Sequence, residues 1–190
     1  MDSMHIQENH ISKNKRSNVK IREMEIDDVA RVFHLGEKLF KAEEVPNTYR
    51  TWDEYEVIEL FHGDAEFCFV AELDEAIVGF ALGTTITKSR SAWKYGHLVW
   101  LGVDPDHQRL GIAQKLFHRF MDIMLKNHVR MLLVDTEAEN LPALHLFRKL
   151  GFGNPQQHIY LTMNLAAQQQ LLKKRSNGDQ PDRRLHKDDA

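Results

Sequence analysis

His97-Leu-Val-Trp-Leu-Gly-Val-Asp-Pro-Asp-His-Gln-Arg-Leu-Gly-Ile-Ala-Gln-Lys-Leu116 passes from strand to turn to helix without a break. Residues 97–103 are rich in β-branched and aromatic types, and Asp104-Pro105-Asp106 is turn chemistry that stops the strand. Ile112, Leu116, Phe117, Phe120, Ile123 and Met124 then recur at helical spacing. Gly111 and Ala113 have little or no side chain at the helix mouth, so a ligand can approach the backbone closely. The N–H groups of a first helical turn lack intrahelical acceptors and, with the dipole, attract an anion. This reading predicts a diphosphate held by the backbone of Arg109, Leu110, Gly111, Ile112, Ala113 and Gln114. The same two small residues would also serve a helix that packs closely on a sheet.

Gln108-x-x-Gly111-x-Ala113 after an apolar strand resembles the acyl-CoA signature, Gln/Arg-x-x-Gly-x-Gly/Ala, of the GNAT superfamily of N-acetyltransferases. Asn140-Leu-Pro-Ala-Leu-His-Leu-Phe-Arg-Lys-Leu-Gly-Phe152 resembles a later segment of that superfamily, in which a strand ends at Asn, a helix follows and Gly-Phe closes it. Both motifs, in this order, imply an α/β protein with the GNAT acyl-CoA N-acyltransferase fold, a mixed sheet flanked by helices, over most of residues 19–165.

The rest of the chain agrees with one such domain. It has 190 residues, 42% hydrophobic and 28% charged, as ordinary soluble globular domains do. No apolar run is long enough to cross a bilayer, and the polar start holds no secretory-signal core. The single cysteine, Cys68, excludes an internal disulfide; within Phe67-Cys-Phe-Val-Ala it reads as a buried strand position. The expected location is the cytoplasm, with no membrane partner. Residues 1–18 read as a flexible arm and residues 166–190 as a polar, disordered tail. The tail is basic but mixed in sign and without aromatics, so nucleic acid is not an expected partner. The body between arm and tail carries a formal charge of −6 within the chain's −3.

Periodicity predicts strands over Val19–Met24, Glu66–Leu73, Ala76–Ile86, Gly96–Val103, Arg130–Thr136 and His158–Asn164. It predicts helices from Val29, over Asp53–Phe61, after Gly111 and over Pro142–Leu150. Gly79 and Gly83 weaken their strand unless something needs backbone room there.

The resemblance implies acetyl-CoA as donor, no metal, and a primary amine that attacks the thioester directly. It implies that pantetheine pairs with the backbone of Leu101 and Val103, where the strand splays from its neighbour. One N–H there would support the oxyanion. Asn140 would bind the pantetheine amides, or cap the helix that follows. Phe147 stands where many members carry a tyrosine that protonates the leaving thiolate, and it would contact the donor without supplying a proton. His97, placed by period-two alternation on one face with Val99 and Leu101 and away from Trp100, is the candidate base. Asp135 and Glu137 would hold a water or the amine. Glu43, Glu44 and Tyr160 would face the acceptor, and Trp93 and Tyr95 are further candidates for that cleft.

The texture of residues 96–116 is similar to protein N-terminal acetyltransferases, including the ribosomal-protein kind. The acidic body suits a cationic acceptor such as a polyamine, an aminoglycoside or a lysine side chain. A non-catalytic acyl-CoA-binding module is the third reading, with Phe147 in its favour. Members of the family are often dimers, which makes a homodimer an expectation.

Overall fold

Apolar residues on both sides of β2 (Cys68–Leu73) explain the architecture, because a strand with no polar face must be covered twice. Cys68 and Val70 pack under α1 (Val29–Leu39) and α2 (Glu54–Asp64), together with Val32, Leu35, Val57, Phe80, Leu82 and Trp100. Phe69, Ala71 and Leu73 face the opposite way, under α3 (Ile112–Lys126), with Leu98, Ile112, Leu116, Phe117, Phe120 and Met124. The Cys68 thiol is enclosed, and burial pushes its pKa up to about 12. It is a packing residue.

The computed structural model describes residues 18–40, 51–87, 93–157, 159, 161, 163, 165 and 169. The chain divides into two compact units, Met1–Asn154 and Pro155–Ala190. The first unit holds one five-stranded sheet in sequence order: β1 (Lys20–Glu23), β2, β3 (Ala76–Thr87), β4 (Lys94–Val103) and β5 (Met131–Leu133). Strands β1 to β4 are antiparallel; β5 joins β4 in parallel after the α3 crossover. A further helix, α4 (Leu141–Lys149), follows β5.

Side chains set the helix starts. Asp53 Oδ1 accepts the Glu56 N–H at 2.8 Å to open α2, and Asn140 Oδ1 accepts the Ala143 N–H at 3.2 Å to open α4. Before α1, Asp28 is buried, takes two hydrogen bonds from Arg22 and one from the Glu25 N–H. The Arg22 hydrogen bonds outweigh the cost of burial and hold the Asp28 carboxyl below its usual range, while Asp28 raises the Arg22 guanidinium.

Two glycines expected to give backbone room do so for α3. A Cβ on Gly83 would lie 2.4 Å from the Phe120 ring, and one on Gly79 would meet Ile112 and Leu116 at 3.3 Å. On the other face, a Cβ on Gly36 would lie 2.0 Å from the Trp52 indole. That contact lets Trp52 stack on Phe80 at 5.2 Å and meet Trp100 edge-on at 5.1 Å.

Three expectations change. The strand expected over Arg130–Thr136 is only Met131–Leu133, because its ladder with β4 ends there. It therefore stops well short of Asn140. Of the strand expected over His158–Asn164, residues 158, 160, 162 and 164 lie outside the described residues, and Ile159, Leu161 and Met163 are not in strand. The third change concerns the faces of β4 and belongs to the site.

Candidate active site

Strand β4 carries one extra residue. Leu98 pairs with Gly83 and Trp100 with Leu82, which leaves Val99 as a bulge. Its consequence is a switch of faces. Leu98 packs on the α3 side, Val99 and Trp100 both pack on the α1/α2 side, and Leu101 and Val103 return to the α3 side. His97 is opposed by Thr84, whose hydroxyl donates to Asp64 Oδ2 at 2.6 Å at the end of α2. His97 therefore shares the α1/α2 face with Val99 and Trp100 and not with Leu101, which corrects the face assignment that simple alternation predicts. Trp100 is 9% exposed and donates through Nε1 to Glu56 Oε1 at 3.1 Å, so it belongs to the core.

The bulge also turns the backbone. Lys94 O accepts the Arg130 N–H, so the even positions before the bulge address β5. Beyond it, the Asp104 N–H donates to Val78 O at 2.9 Å, and Gly102 O faces Gly79. Residues 102 and 104 thus address β3, and alternation turns the N–H groups of Leu101 and Val103 to the opposite edge. On that edge the β5 ladder ends at His97↔Leu133. Among the described residues no strand pairs with β4 from Leu98 to Val103 on the β5 side.

The open edge leads into the turn before α3. Asp104 Oδ1 accepts the Asp106 N–H and Oδ2 accepts Lys38 Nζ, both at 2.9 Å, which ties the end of β4 to α1. Burial would raise the Asp104 carboxyl, but Lys38 and the Asp106 N–H more than offset it and hold it below the usual range. Arg109 and Gly111 adopt left-handed backbone, with φ of 61° and 78°. The first α3 bond runs from the Lys115 N–H to Gly111 O at 3.0 Å, so the N–H groups of Ile112, Ala113 and Gln114 come before the intrahelical ladder. A Cβ on Gly111 would meet nothing within 4 Å. Gln108, Arg109, Gly111 and Gln114 are exposed, and Leu110 and Ala113 are half-buried.

Two residues singled out separately prove to be in contact: His97 Nε2 lies 2.8 Å from Asp135 Oδ1. An ionised Asp135 accepts the Nε2–H and so favours that tautomer of His97. Glu137 lies on the segment after β5, exposed, and its carbonyl accepts the Asn140 N–H. Asn140 acts as the α4 cap described above. Phe147 is half-buried, edge-on to Phe152 at 5.7 Å, against the α3-face core. Glu43, Glu44 and Tyr160 lie outside the described residues. Thr84 and Asp64, beside His97, carry no motif; only the strand register brings them there. Among the described residues no group of His, Cys, Asp and Glu side chains is arranged to hold a metal, and no helix is long and apolar enough to cross a membrane.

An N-alpha-acetyltransferase of Sulfurisphaera tokodaii is 26% identical over 145 residues, covering 73% of this chain and 82% of the relative. The chain spans about a quarter to a third of the length of its vertebrate curated relatives, at 25% and 33%. An aminoglycoside acetyltransferase from an uncultured soil sample, crystallised with sisomicin, has the same fold, with a TM-score of 0.63 and 20% identity over 78% of this chain and 98% of its own. The NatC complex bound to Gag peptide and CoA contains another, with a TM-score of 0.61 and 21% identity over 73% and 87%. The family model described as Acetyltransferase (GNAT) family matches residues 34–152, and the chain belongs to that family.

Proposed function

We propose that this chain is an acetyl-CoA-dependent N-acetyltransferase whose acceptor is the α-amine of a peptide or protein N-terminus. The observation that carries the reading is the end of β4 beyond its ladder with β5, where among the described residues no strand pairs with Leu101 or Val103, with the glycine-entered helix at one end and the His97–Asp135 pair at the other. Acetyl-CoA takes this edge: its diphosphate on the N–H groups that open α3, its pantetheine on the N–H groups of Leu101 and Val103. The thioester then comes to rest near the bulge, beside His97. Asn140 and Phe147 border the donor from the α4 side.

The chemistry needs little beyond this. A neutral amine attacks the thioester carbon; a C–N bond forms and the carbonyl oxygen becomes an oxyanion, supported by a backbone N–H of the β4 edge. His97 takes the surplus amine proton at Nδ1, with Asp135 stabilising the resulting imidazolium. Collapse restores the carbonyl and breaks the C–S bond. A thiol of ordinary pKa near 8.5 leaves as the thiolate without an acid, which suits Phe147 in place of a tyrosine. Glu137 stands by as a second carboxylate for the incoming cation.

Acceptor ionisation favours the α-amine. With a pKa near 7.8, about one α-amine in seven is neutral at pH 7, against roughly one lysine in 2,500. One His–Asp pair is enough for the first and less suited to the second. The N-alpha-acetyltransferase relative points the same way. The body's charge of −6 favours a second reading, a small polycationic acceptor.

CoA release detected with a thiol reagent tests the reading against peptides with free and blocked N-termini, spermidine and an aminoglycoside. The free peptides should accelerate release and the blocked ones should not. Release driven only by the polycations would replace the acceptor. Stabilisation by acetyl-CoA without release by any amine would make the chain a binding module.

A further inference from the structure

Thr84 of β3 and His97 of β4 are directly opposed, so their side chains leave the same side of the sheet, with Cβ atoms about 5 Å apart. Thr84 donates its hydroxyl proton to Asp64 Oδ2 at 2.6 Å, which fixes that side as the one under α2. One hydrogen bond beyond Thr84, the Asp64 carboxylate borders the space over His97. Asp64 is the last residue of α2, where the free carbonyls and the helix dipole disfavour an anion. Its own carbonyl accepts the Cys68 thiol of β2 at 3.6 Å, so backbone and side chain are both held.

A carboxylate drawn out of water is ordinarily matched by a cation. Among the described residues, buried Asp28 and half-buried Glu72 have Arg22, and half-buried Asp104 has Lys38. Asp64 is half-buried too, yet it accepts only from the neutral hydroxyl of Thr84. No donor among the described residues meets its Oδ1. Glu56, two turns earlier on α2, accepts from the indole of Trp100, itself part of the core. Asp64 is thus the carboxylate beside the histidine that lacks a counter-charge of its own.

We propose that the acceptor supplies that charge: Asp64 Oδ1 accepts a hydrogen bond from the substrate ammonium and holds its nitrogen beside His97, while Thr84 positions Asp64. The inference rests on the α-amine reading given above. At pH 7 about six α-amines in seven arrive protonated, so the acceptor meets the site as a cation. One proton then leaves to solvent, and the neutral amine attacks as given above. The nitrogen becomes positive again as the C–N bond forms, so one carboxylate favours both the bound substrate and the transition state. Its loss should therefore fall mainly on KM.

The test compares the full-length protein with Asp64→Asn, which keeps an acceptor for Thr84 but not the charge, and with Thr84→Val, which keeps the charge but not its tether. Peptides with free N-termini are the substrates, at saturating acetyl-CoA. At pH 7, Asp64→Asn should raise the peptide KM roughly ten- to a hundredfold, the worth of one charge-assisted hydrogen bond, and lower kcat by a smaller factor. Thr84→Val should raise KM by about threefold or more. At about pH 9 the α-amine is neutral, and the KM ratio of Asp64→Asn to the unaltered protein should fall towards one. The titratable groups around Asp64 are the Cys68 thiol, His97 with Asp135, and the exposed His62 and Glu66. All are common to both proteins, so the ratio isolates the charge of the substrate. Thermal stabilisation by acetyl-CoA shows that each variant is folded, and either folded variant is sufficient. An unchanged KM, or a KM ratio equal at the two pH values, overturns the inference and leaves α-amine acetylation standing. No acetylation of any peptide overturns both.

Discussion

His97 Nε2 and Asp135 Oδ1 stand 2.8 Å apart, across residues thirty-eight positions distant in the chain, just where the β4–β5 ladder ends. The pair lies at the inner end of the open edge of β4. In the proposed mechanism His97 is the base for an amine that meets a donor on that edge, and Asp135 is the group that orients it.

Replacement of His97 should therefore act on turnover and not on donor binding. His97→Ala is expected to lower kcat by roughly 10²- to 10⁴-fold, the usual worth of a positioned base, with the acetyl-CoA Kd little changed. Asp135→Asn should lower kcat less, by about tenfold or more. Steady-state kinetics beside calorimetric titration of acetyl-CoA separates the two effects. Unaltered kcat in both variants would remove the pair from the reaction.

Gly111 separates two demands on the α3 entrance. Its φ of 78° costs a substituted residue roughly 1–2 kcal/mol. Gly111→Ala should lose about that much stability and still bind acetyl-CoA. Gly111→Trp should also fold, since no atom lies within 4 Å of the new Cβ, yet fill the space over the helix start and abolish binding. Titration of both variants with acetyl-CoA reads the difference, and undiminished affinity in Gly111→Trp would contradict the proposed diphosphate site.

The strand, turn and helix of residues 97–116 were legible because each carries a local signal: β-branched residues, Asp-Pro-Asp, and apolar spacing after a glycine. The bulge was not. Leu98, Val99 and Trp100 are all good strand formers, and nothing in their order says that two successive side chains share a face. The extra residue is defined only by Gly83 and Leu82 on β3. For the same reason His97 and Asp135 were each singled out but their contact was not, and Trp100 was expected on the wrong side. The length of β5 was overread because Val134, Asp135 and Thr136 continue an acceptable pattern, while the ladder that makes a strand ends at Leu133. Thr84 and Asp64 read as ordinary polar residues; only the register brings them beside His97.

Gly36 tests the packing under the site. Gly36→Ala would place a methyl group 2.0 Å from the Trp52 ring, which is stacked on Phe80 and closed in by Trp100. Overpacking of this kind costs about 1–3 kcal/mol, and a lowered melting temperature should report it. An unchanged melting temperature would mean that Trp52 is not held against α1.

Asp28 predicts the acid limb of stability. Its carboxyl is held below the ordinary range by Arg22, so its contribution is complete above about pH 4, the unfolded value, and is lost as pH falls through the lower folded value. Asp28→Asn should cost about 2 kcal/mol at pH 7, since it weakens two charge-assisted hydrogen bonds from Arg22, which keeps Glu72 as its remaining carboxylate. The difference from the unaltered protein should shrink at acid pH. Denaturant unfolding across pH measures both, and a gap that grows on acidification would contradict this account.

The most direct test of the central claim is tandem mass spectrometry of a peptide with a free N-terminal methionine and an internal lysine, incubated with acetyl-CoA and the protein. The account predicts one acetyl group on the α-nitrogen, and its loss with His97→Ala. Acetylation of the lysine alone, or an unmodified peptide in a reaction where spermidine or an aminoglycoside is acetylated, would contradict it.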